Sequence, residues 1–535
     1  MKFPRIARAV PSWKNALLAV VSAVLLILAF PDFELWFLAW FALIPLLVAV
    51  EREKDSTIAS FVLGWLWGIV FFFGTCWWLT YAPIHYAAFP WPIAYFLLFC
   101  VVAVVGVFPG LFGAITSILL RRIGSWAFFG VPFVWASTEF ARYWLTGNNW
   151  NAIGYSQAFE FLVNGFPSIG GVYLVSWMIA ASNFLILGVI FTFLGRRQHV
   201  VYFAIVFILL VGMFIAAPYH FPECLSGCAD LLHTSDSKVI AVQPNVPMSG
   251  LDPKKWNELR DQQIALAEKV ISAERARGKS DKQNSSTTVI LPESPMNFQW
   301  DEDADFQKYI SEFAAKNNVN VLFNSSEPDR ENNKYFNSAV MVDPTGREVA
   351  EYDKIYLLPF GEAVPTPLEN ILPGFVGNFS YGRNYSLVPL GDAKAGIMIC
   401  FESHFGQLSR EYVRRGADAI IEMTNDGYLG PTPVLRQHLA NAVFRAIETN
   451  RPVLRVTNVG ITAYITERGE VLESTQPYSE DTRVWAVAKS DGSQTFYVKY
   501  GDWFAWVCVA VTLLMLVIAF VRRNDLAVEA GTYQK

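Results

Sequence analysis

The sequence predicts a polytopic α-helical membrane protein with an α/β domain inserted on the extracytoplasmic side. Three observations lead there. Eight apolar runs flank a single polar stretch, basic residues gather in alternate loops, and short β-rich runs alternate with helical ones inside the polar stretch. Composition agrees. Only 17% of the 535 residues are charged and 53% are hydrophobic, whereas soluble domains average about 25% charged.

The apolar runs lie at roughly 16–30, 34–50, 57–80, 92–119, 127–145, 167–194, 200–217 and 503–521. A spanning helix needs about 20 apolar residues, so the first two runs are short. The first does not read as a cleaved signal peptide: it lacks a small-x-small exit, and apolar sequence resumes just after Pro31-Asp32. Lys and Arg in short loops set orientation. Lys2, Arg5, Arg8 and Lys14 precede the first run. Arg52 and Lys54 follow the second, Arg121 and Arg122 the fourth, Arg196 and Arg197 the sixth, Arg522 and Arg523 the eighth. All these clusters share one side, which is the cytoplasm. The expected organisation is a seven-helix region at 1–217, an extracytoplasmic domain at 218–500, and a last helix with a cytoplasmic tail at 501–535.

The net charge of −5 gives no reason to expect a nucleic-acid partner. Cys76, Cys100 and Cys508 fall inside apolar runs, where buried inert thiols are expected. Cys224 and Cys228 open the extracytoplasmic domain, where an oxidising compartment would permit a disulfide. The histidines are too dispersed to complete a metal site, and no metal or cofactor is expected. Glu139 and Arg142, spaced i, i+3, are expected to pair. Trp150 and Tyr155 fit interfacial anchors.

In the polar stretch, strands are predicted at Val239–Gln243, Thr288–Leu291, Val319–Asn324, Ser338–Val342, Gly396–Cys400, Ala419–Met423, Val453–Thr457 and Val484–Ala488. A helix starts at Asp252-Pro253, an N-cap with proline at the first helical position. Further helices are expected near 303–316, 405–415 and 432–449. Such alternation argues for a layered α/β fold.

Three strings carry the chemistry. LPES places Glu293 just after an apolar strand, YDKIYLLPFGE sets Lys354 among apolar and aromatic neighbours, and GIMICFES ends a strand on Cys400. Each alone has an ordinary explanation: a capping carboxylate, a lysine snorkelling over aromatics, a buried cysteine. Together they suffice for acyl transfer through a thioester. A carboxylate can take the thiol proton, an ammonium favours the thiolate, and Lys354 with the N–H after Cys400 could hold an oxyanion. His404, four residues past Cys400, is expected to point elsewhere. The glycine-punctuated Leu372–Asn384 segment, with Asn425–Thr432, could form an apolar lid or fold back onto the domain.

Glu…Lys…Cys in this order resembles the carbon–nitrogen hydrolase (nitrilase) superfamily, and the flanking motifs resemble its apolipoprotein N-acyltransferase branch. Those motifs are VQPNVP at 242–247 with Trp256, LPES at 291–294, FNSAVM at 336–341 and YDKIYLLPFGEAVP at 352–365. They continue with GIMICFES at 396–403, TNDGYLG at 424–430 and RQHLANAVFRAIETNRPVLRVTNVGITAYI at 436–465. The resemblance spans nearly the whole chain. It implies a nitrilase-like αββα sandwich, with Glu293 as general base, Lys354 as oxyanion lysine and Cys400 as nucleophile. It implies that Glu362 orients these groups, that Glu402 is a further necessary acid, and that Trp256, Asn337, Phe401, Tyr428 and Pro365 border the substrate. Phe401 stands where the family often has tyrosine, and Tyr428 where it commonly has tryptophan.

The activity so implied transfers an acyl chain from a membrane phospholipid to the amine of a diacylglyceryl-cysteine lipoprotein, on the outer face of a bacterial inner membrane, by a monomer. A membrane-tethered amidase using the same residues is the enzymatic alternative. A transporter or receptor is the non-enzymatic one, disfavoured by the scarcity of ionisable residues within the apolar runs.

Overall fold

A computed structural model describes residues 9–124, 127–160, 165–193, a few positions between 204 and 212, then 237–276, 286–359, 361–364 and 379–532. The run at 200–217 lies largely outside these residues, and Cys224, Cys228, Pro365, Phe375 and Val376 lie wholly outside them. The chain divides into two compact units. One holds residues 1–219, 432–437 and 500–535, the other 220–431 and 438–499.

The first unit is helical. Its main helices are α1 (Trp13–Ile27), α2 (Ile44–Arg52), α3 (Thr57–Thr75), α4 (Trp91–Val105), α5 (Val107–Ile123), α6 (Ala127–Thr146) and α7 (Pro167–Phe193). The C-terminal helix spans Trp503–Thr532. Ser12 and Ser56 cap α1 and α3, their side chains accepting from the N–H of Asn15 and Ala59. Among the described residues four helical spans are long and apolar enough to cross a membrane: Thr57–Thr75, Trp91–Ile123, Pro167–Phe191 and Trp503–Val521. The apolar run at 34–50 forms three pieces, Trp36–Leu38, Ala39–Ala42 and Ile44–Arg52, rather than one helix. In α7 the helical geometry breaks at Gly170 and Gly171, the latter at φ 64°.

Glycine sets the closest approach within this unit. A Cβ on Gly64 of α3 would sit 2.0 Å from the Pro109 carbonyl oxygen, and one on Gly113 of α5 2.2 Å from that of Ser60. The two backbones therefore touch, as small residues allow where apolar surroundings give helices little other reason to associate.

Three expectations are corrected in this unit. Glu139 and Arg142 are buried but are not an ion pair: Glu139 accepts from Trp135 Nε1 and the Ile153 N–H, and Arg142 donates to the Trp150 carbonyl and Asn149 Oδ1. Backbone groups freed by the loop after α6 capture both side chains first. Cys100 is exposed on α4, whose outward face is apolar, while Cys76 and Cys508 are buried. Trp150 and Tyr155 are buried in the unit rather than displayed as anchors.

The second unit is built on two six-stranded sheets. The first has the order β12 (Asp481–Ala486), β1 (Ser237–Gln243), β2 (Ser286–Ile290), β3 (Asn320–Asp329), β4 (Lys334–Val342), β5 (Glu348–Asp353). The second has the order β11 (Val471–Leu472), β10 (Ala463–Ile465), β9 (Val453–Thr457), β8 (Ala419–Thr424), β7 (Ala393–Ile399), β6 (Leu387–Leu390). β1–β2–β3 and β7–β8–β9 are parallel, and the remaining pairs antiparallel. The parallel strands are buried on both faces, which is why they read as unbroken apolar runs such as Ile397–Ile399.

The sheets pack face to face, β1 meeting β6 and β9. Helices α8 (Pro253–Ala276) and α9 (Ala304–Asn317) cover the first sheet. Phe306, Ile310 and Phe313 of α9 sit with Val289, Val321 and Val340 in its core. Helix α10 (Gly406–Arg414) packs on β7, and α11 (Val434–Thr449) sets His438 against Glu422 of β8. This is the expected αββα sandwich. The short strands β6, β10 and β11 and the charged, half-exposed β5 carry too little apolar pattern to have been predicted.

If the α3–α5 approach is as tight as the glycines require, Gly113→Ala should lower the thermal unfolding midpoint of the detergent-solubilised protein. Overpacking typically costs about 1–3 kcal/mol. Gly212→Ala, where an added Cβ meets nothing within 4 Å, should leave the midpoint unchanged.

Candidate active site

The side chains singled out in the sequence meet at the ends of strands from both sheets. Glu293 lies three residues past β2, Asn337 is in β4, Lys354 directly follows β5, Cys400 directly follows β7, and Asn425 directly follows β8. Rigid strands thus hold each group, and the turns after them supply the reach.

Lys354 is the centre. Its side chain is 1% exposed, with Nζ 2.8 Å from Glu362 Oε1 and 3.8 Å from Glu293 Oε1. Burial works to depress its pKa, but the carboxylates of Glu362 and Glu293 overcome this and hold it above the ordinary lysine value. Asn337 ties the carboxylates together, its Nδ2 donating to Glu362 Oε1 at 2.7 Å and to Glu293 Oε1 at 3.1 Å. Asn324 Nδ2 donates to Asn337 Oδ1, which fixes the amide's orientation. Glu362 Oε2 accepts from the Leu358 N–H, and Glu293 Oε2 from the Asn425 N–H.

Burial raises the Glu293 pKa and Glu362 adds to it, while Lys354 and the hydrogen bond from Asn337 pull it down. Cys400 and Glu293 lie close enough to act on each other electrostatically. Burial, then Glu293, pushes Cys400 well above an ordinary thiol, with Lys354 opposing. Burial and Glu293 therefore both favour the protonated thiol. Cys400 has φ +54° at the sharp passage from β7 into the short helical turn Cys400–His404. For a non-glycine residue this region costs about 1–2 kcal/mol, so the surroundings must hold it there.

Glu402 provides one such hold. Fully buried, it accepts from the Ile399 N–H on one oxygen, and from the Ile355 N–H, the Tyr356 N–H and the Tyr352 hydroxyl on the other. It joins the lysine's strand end to the cysteine's. Burial pushes its pKa up to about 7 against the pull of Lys354 and these donors.

The remaining expected residues are more peripheral. Phe401 is buried, its ring stacked on His404 at 5.5 Å and edge-on to Phe405. His404 thus packs into aromatics. Trp256 donates to the Met296 carbonyl and meets Phe298 edge-to-face. Tyr428 is half-exposed on the turn Asp426–Leu429. Of the glycine-punctuated segment, Tyr381 is exposed.

With the geometry in hand, the chain can be compared with known proteins. Residues 22–185 match the family described as the apolipoprotein N-acyltransferase N-terminal domain, and residues 251–496 match the carbon-nitrogen hydrolase family. An apolipoprotein N-acyltransferase from Geobacter metallireducens is 32% identical over 526 residues, 96% of each chain. The chain belongs to the apolipoprotein N-acyltransferase family. Members from Pasteurella multocida and Thermotoga maritima are 29% and 28% identical, each matching 95% of this chain and 96% and 95% of their own. Among solved structures, a Nesterenkonia amidase from the nitrilase superfamily aligns over 50% of this chain and 95% of its own, at 13% identity and a TM-score of 0.36. This N-acyltransferase is therefore an enzyme and, with its apolar helices, a membrane protein.

The sequence reading missed a second charged group in this N-acyltransferase. His438 of α11 places Nε2 3.1 Å from the Cys400 carbonyl oxygen and Nδ1 2.7 Å from Asp426 Oδ1. Arg455 of β9 completes the group, 2.8 Å from Asp426 Oδ2 and 2.6 Å from Glu422 Oε1. Burial and Arg455 act to lower the His438 pKa, but Asp426 and Glu422 win and raise it to about 9. Both TNDGYLG and the 436–465 motif were visible. Nothing in either string says that an arginine on one strand and a histidine on a helix share one aspartate.

Two outcomes follow. Lys354→Met leaves Glu293 and Glu362 facing each other without their cation; breaking a buried pair in this way typically costs about 3–5 kcal/mol, readable as a lowered thermal midpoint. The His438 pKa, raised in the folded state, contributes stability that is complete below about 6.5 and is lost as pH rises through about 9. The thermal midpoint should accordingly fall across that window, and His438→Gln should flatten that part of the profile.

Proposed function

We propose that this N-acyltransferase takes an acyl chain from a membrane phospholipid onto Cys400 as a thioester. It then passes the chain to the α-amine of diacylglyceryl-cysteine at a lipoprotein N-terminus. What supports this reading is the convergence of Glu293, Lys354 and Cys400 at the ends of strands, with the ammonium held between two carboxylates.

In the first half-reaction Cys400 Sγ attacks the ester carbonyl as Glu293 takes the thiol proton. Glu293, its pKa raised by burial, is tuned toward the working range of a general base. Lys354 and the Phe401 N–H hold the oxyanion, and collapse of the intermediate returns the proton to the departing lysophospholipid oxygen. In the second half-reaction the lipoprotein amine attacks the thioester, Glu293 takes its proton, and the C–S bond breaks as that proton passes to the departing sulfur, restoring the thiol. Because the resting thiol is held protonated, it becomes a nucleophile only when base and substrate act together.

Glu362 and Asn337 keep Lys354 and Glu293 in register, and Glu402 fixes the two strand ends. Trp256, Phe401, Tyr428 and Pro365 border the acyl chain or the lipoprotein end. Positive-inside bias supports cytoplasmic termini, with residues 218–500 on the periplasmic face of a bacterial inner membrane between a seven-helix region and a last helix. There both lipid substrates reach a monomer by lateral diffusion.

Intact-mass analysis of the enzyme with phospholipid and no lipoprotein should show one added acyl group, mapping to Cys400 and absent from Cys400→Ala. Glu293→Gln should slow its formation by about 10²–10⁴. Absence of any adduct in wild type under turnover conditions would remove the thioester. An adduct that forms but yields only free fatty acid when the lipoprotein is added would point instead to a hydrolase.

A further inference from the structure

Beside the Cys400 backbone, four charged side chains are sealed from solvent. Glu422 lies on β8, Asp426 on the turn after it, Arg455 on β9 and His438 on α11. The side chains of Glu422, Asp426 and Arg455 are 0% exposed and that of His438 4%. The set is two carboxylates, one guanidinium and one imidazole, so it is neutral when His438 carries its proton. Buried charge of this kind persists only where every member is paired.

The arrangement is directional. Asp426 grips Arg455 with Oδ2 and His438 Nδ1 with Oδ1, at 2.8 and 2.7 Å. This leaves Nε2 as the ring's other donor, 3.1 Å from the Cys400 carbonyl and 3.2 Å from Glu422 Oε1. Room for the aspartate exists because residue 460 is glycine: a Cβ there would lie 2.2 Å from Asp426 Oδ2. The accepting carbonyl belongs to a residue at φ +54°, and its orientation fixes where the thiol points.

We propose that His438, clamped by Asp426 and balanced by Arg455 and Glu422, is a positioning residue for the nucleophile: its Nε2–H holds the Cys400 carbonyl and so keeps the strained cysteine aimed at Glu293 and Lys354. In this role His438 acts through the Cys400 backbone, while Glu402 holds the neighbouring Ile399 N–H. The inference rests on the thioester reading for its kinetic arm only.

The test uses full-length enzyme in detergent with His438→Leu, His438→Gln and Asp426→Asn. It reads the acylation rate at saturating phospholipid per titratable Cys400, the phospholipid KM, thermal unfolding, and Cys400 alkylation by iodoacetamide followed by peptide mass spectrometry. A small misplacement of reacting groups can cost about a hundredfold. His438→Leu should lose about that much in acylation rate per site, with KM changed less than twofold and alkylation slowed about tenfold. His438→Gln, whose amide can still donate to the carbonyl, should recover at least a tenth of the wild-type rate. Asp426→Asn, which presents an NH₂ group to either Arg455 or His438, should fall between.

Should His438→Leu fail to fold, Asp426→Asn alone decides. A wild-type rate per site in His438→Leu, or in Asp426→Asn where the leucine variant does not fold, overturns the proposal, as does loss that merely tracks the unfolded fraction, or a glutamine variant no better than leucine. If wild type forms no acyl-enzyme, the thioester reading fails; unequal alkylation rates would still uphold the positioning role, and equal ones would overturn it.

Discussion

A buried ammonium organises this enzyme's site. Lys354 is withdrawn from water, so it remains charged only because two carboxylates and the amide that links them are built around it. That requirement reaches outward. Glu362 must be turned back by the Leu358 N–H, Glu293 must stand at the end of β2, and β4 must deliver Asn337 between them. Opposite-sign neighbours thus do what solvent does for a surface lysine, while keeping the space beside Cys400 low in dielectric, where a positive charge acts most strongly on a developing oxyanion.

Cys400, the proposed nucleophile, is governed by the same logic in reverse. Desolvation of its thiol and the carboxylate nearby both favour the protonated form. In the proposed cycle its reactivity is conditional on a substrate carbonyl arriving to accept the electron pair. That would suit a group that reacts with one lipid ester and is then held as a thioester until an amine arrives.

Much of this was legible in the sequence because the informative residues are local to strands. Ile397–Ile399 reads as a buried strand, and its end is where a rigid element can present Cys400; Val289–Leu291 does the same for Glu293. Strand ends are visible in sequence, and the family motifs supply the rest. What was not legible is what three-dimensional closure creates. The aspartate that joins Arg455 to His438 is 29 residues from one and 12 from the other. Glu139 and Arg142 show the opposite failure: helical spacing suggested a pair, yet a loop's backbone groups claimed both side chains. The charged β5 was missed because its polar face hid the strand. Cys100 was misplaced because an apolar run says that a helix avoids water, not which side of it faces neighbouring helices.

Asn337 has one more consequence. Its two amide hydrogens are spent on Glu293 Oε1 and Glu362 Oε1, and Lys354 lies on that same side. A proton is therefore disfavoured on Glu293 Oε1 and left to Oε2, the oxygen that accepts from the Asn425 N–H. In the proposed cycle the carboxylate would work as a single-lane crossing for protons, its lane chosen by the direction that one amide faces.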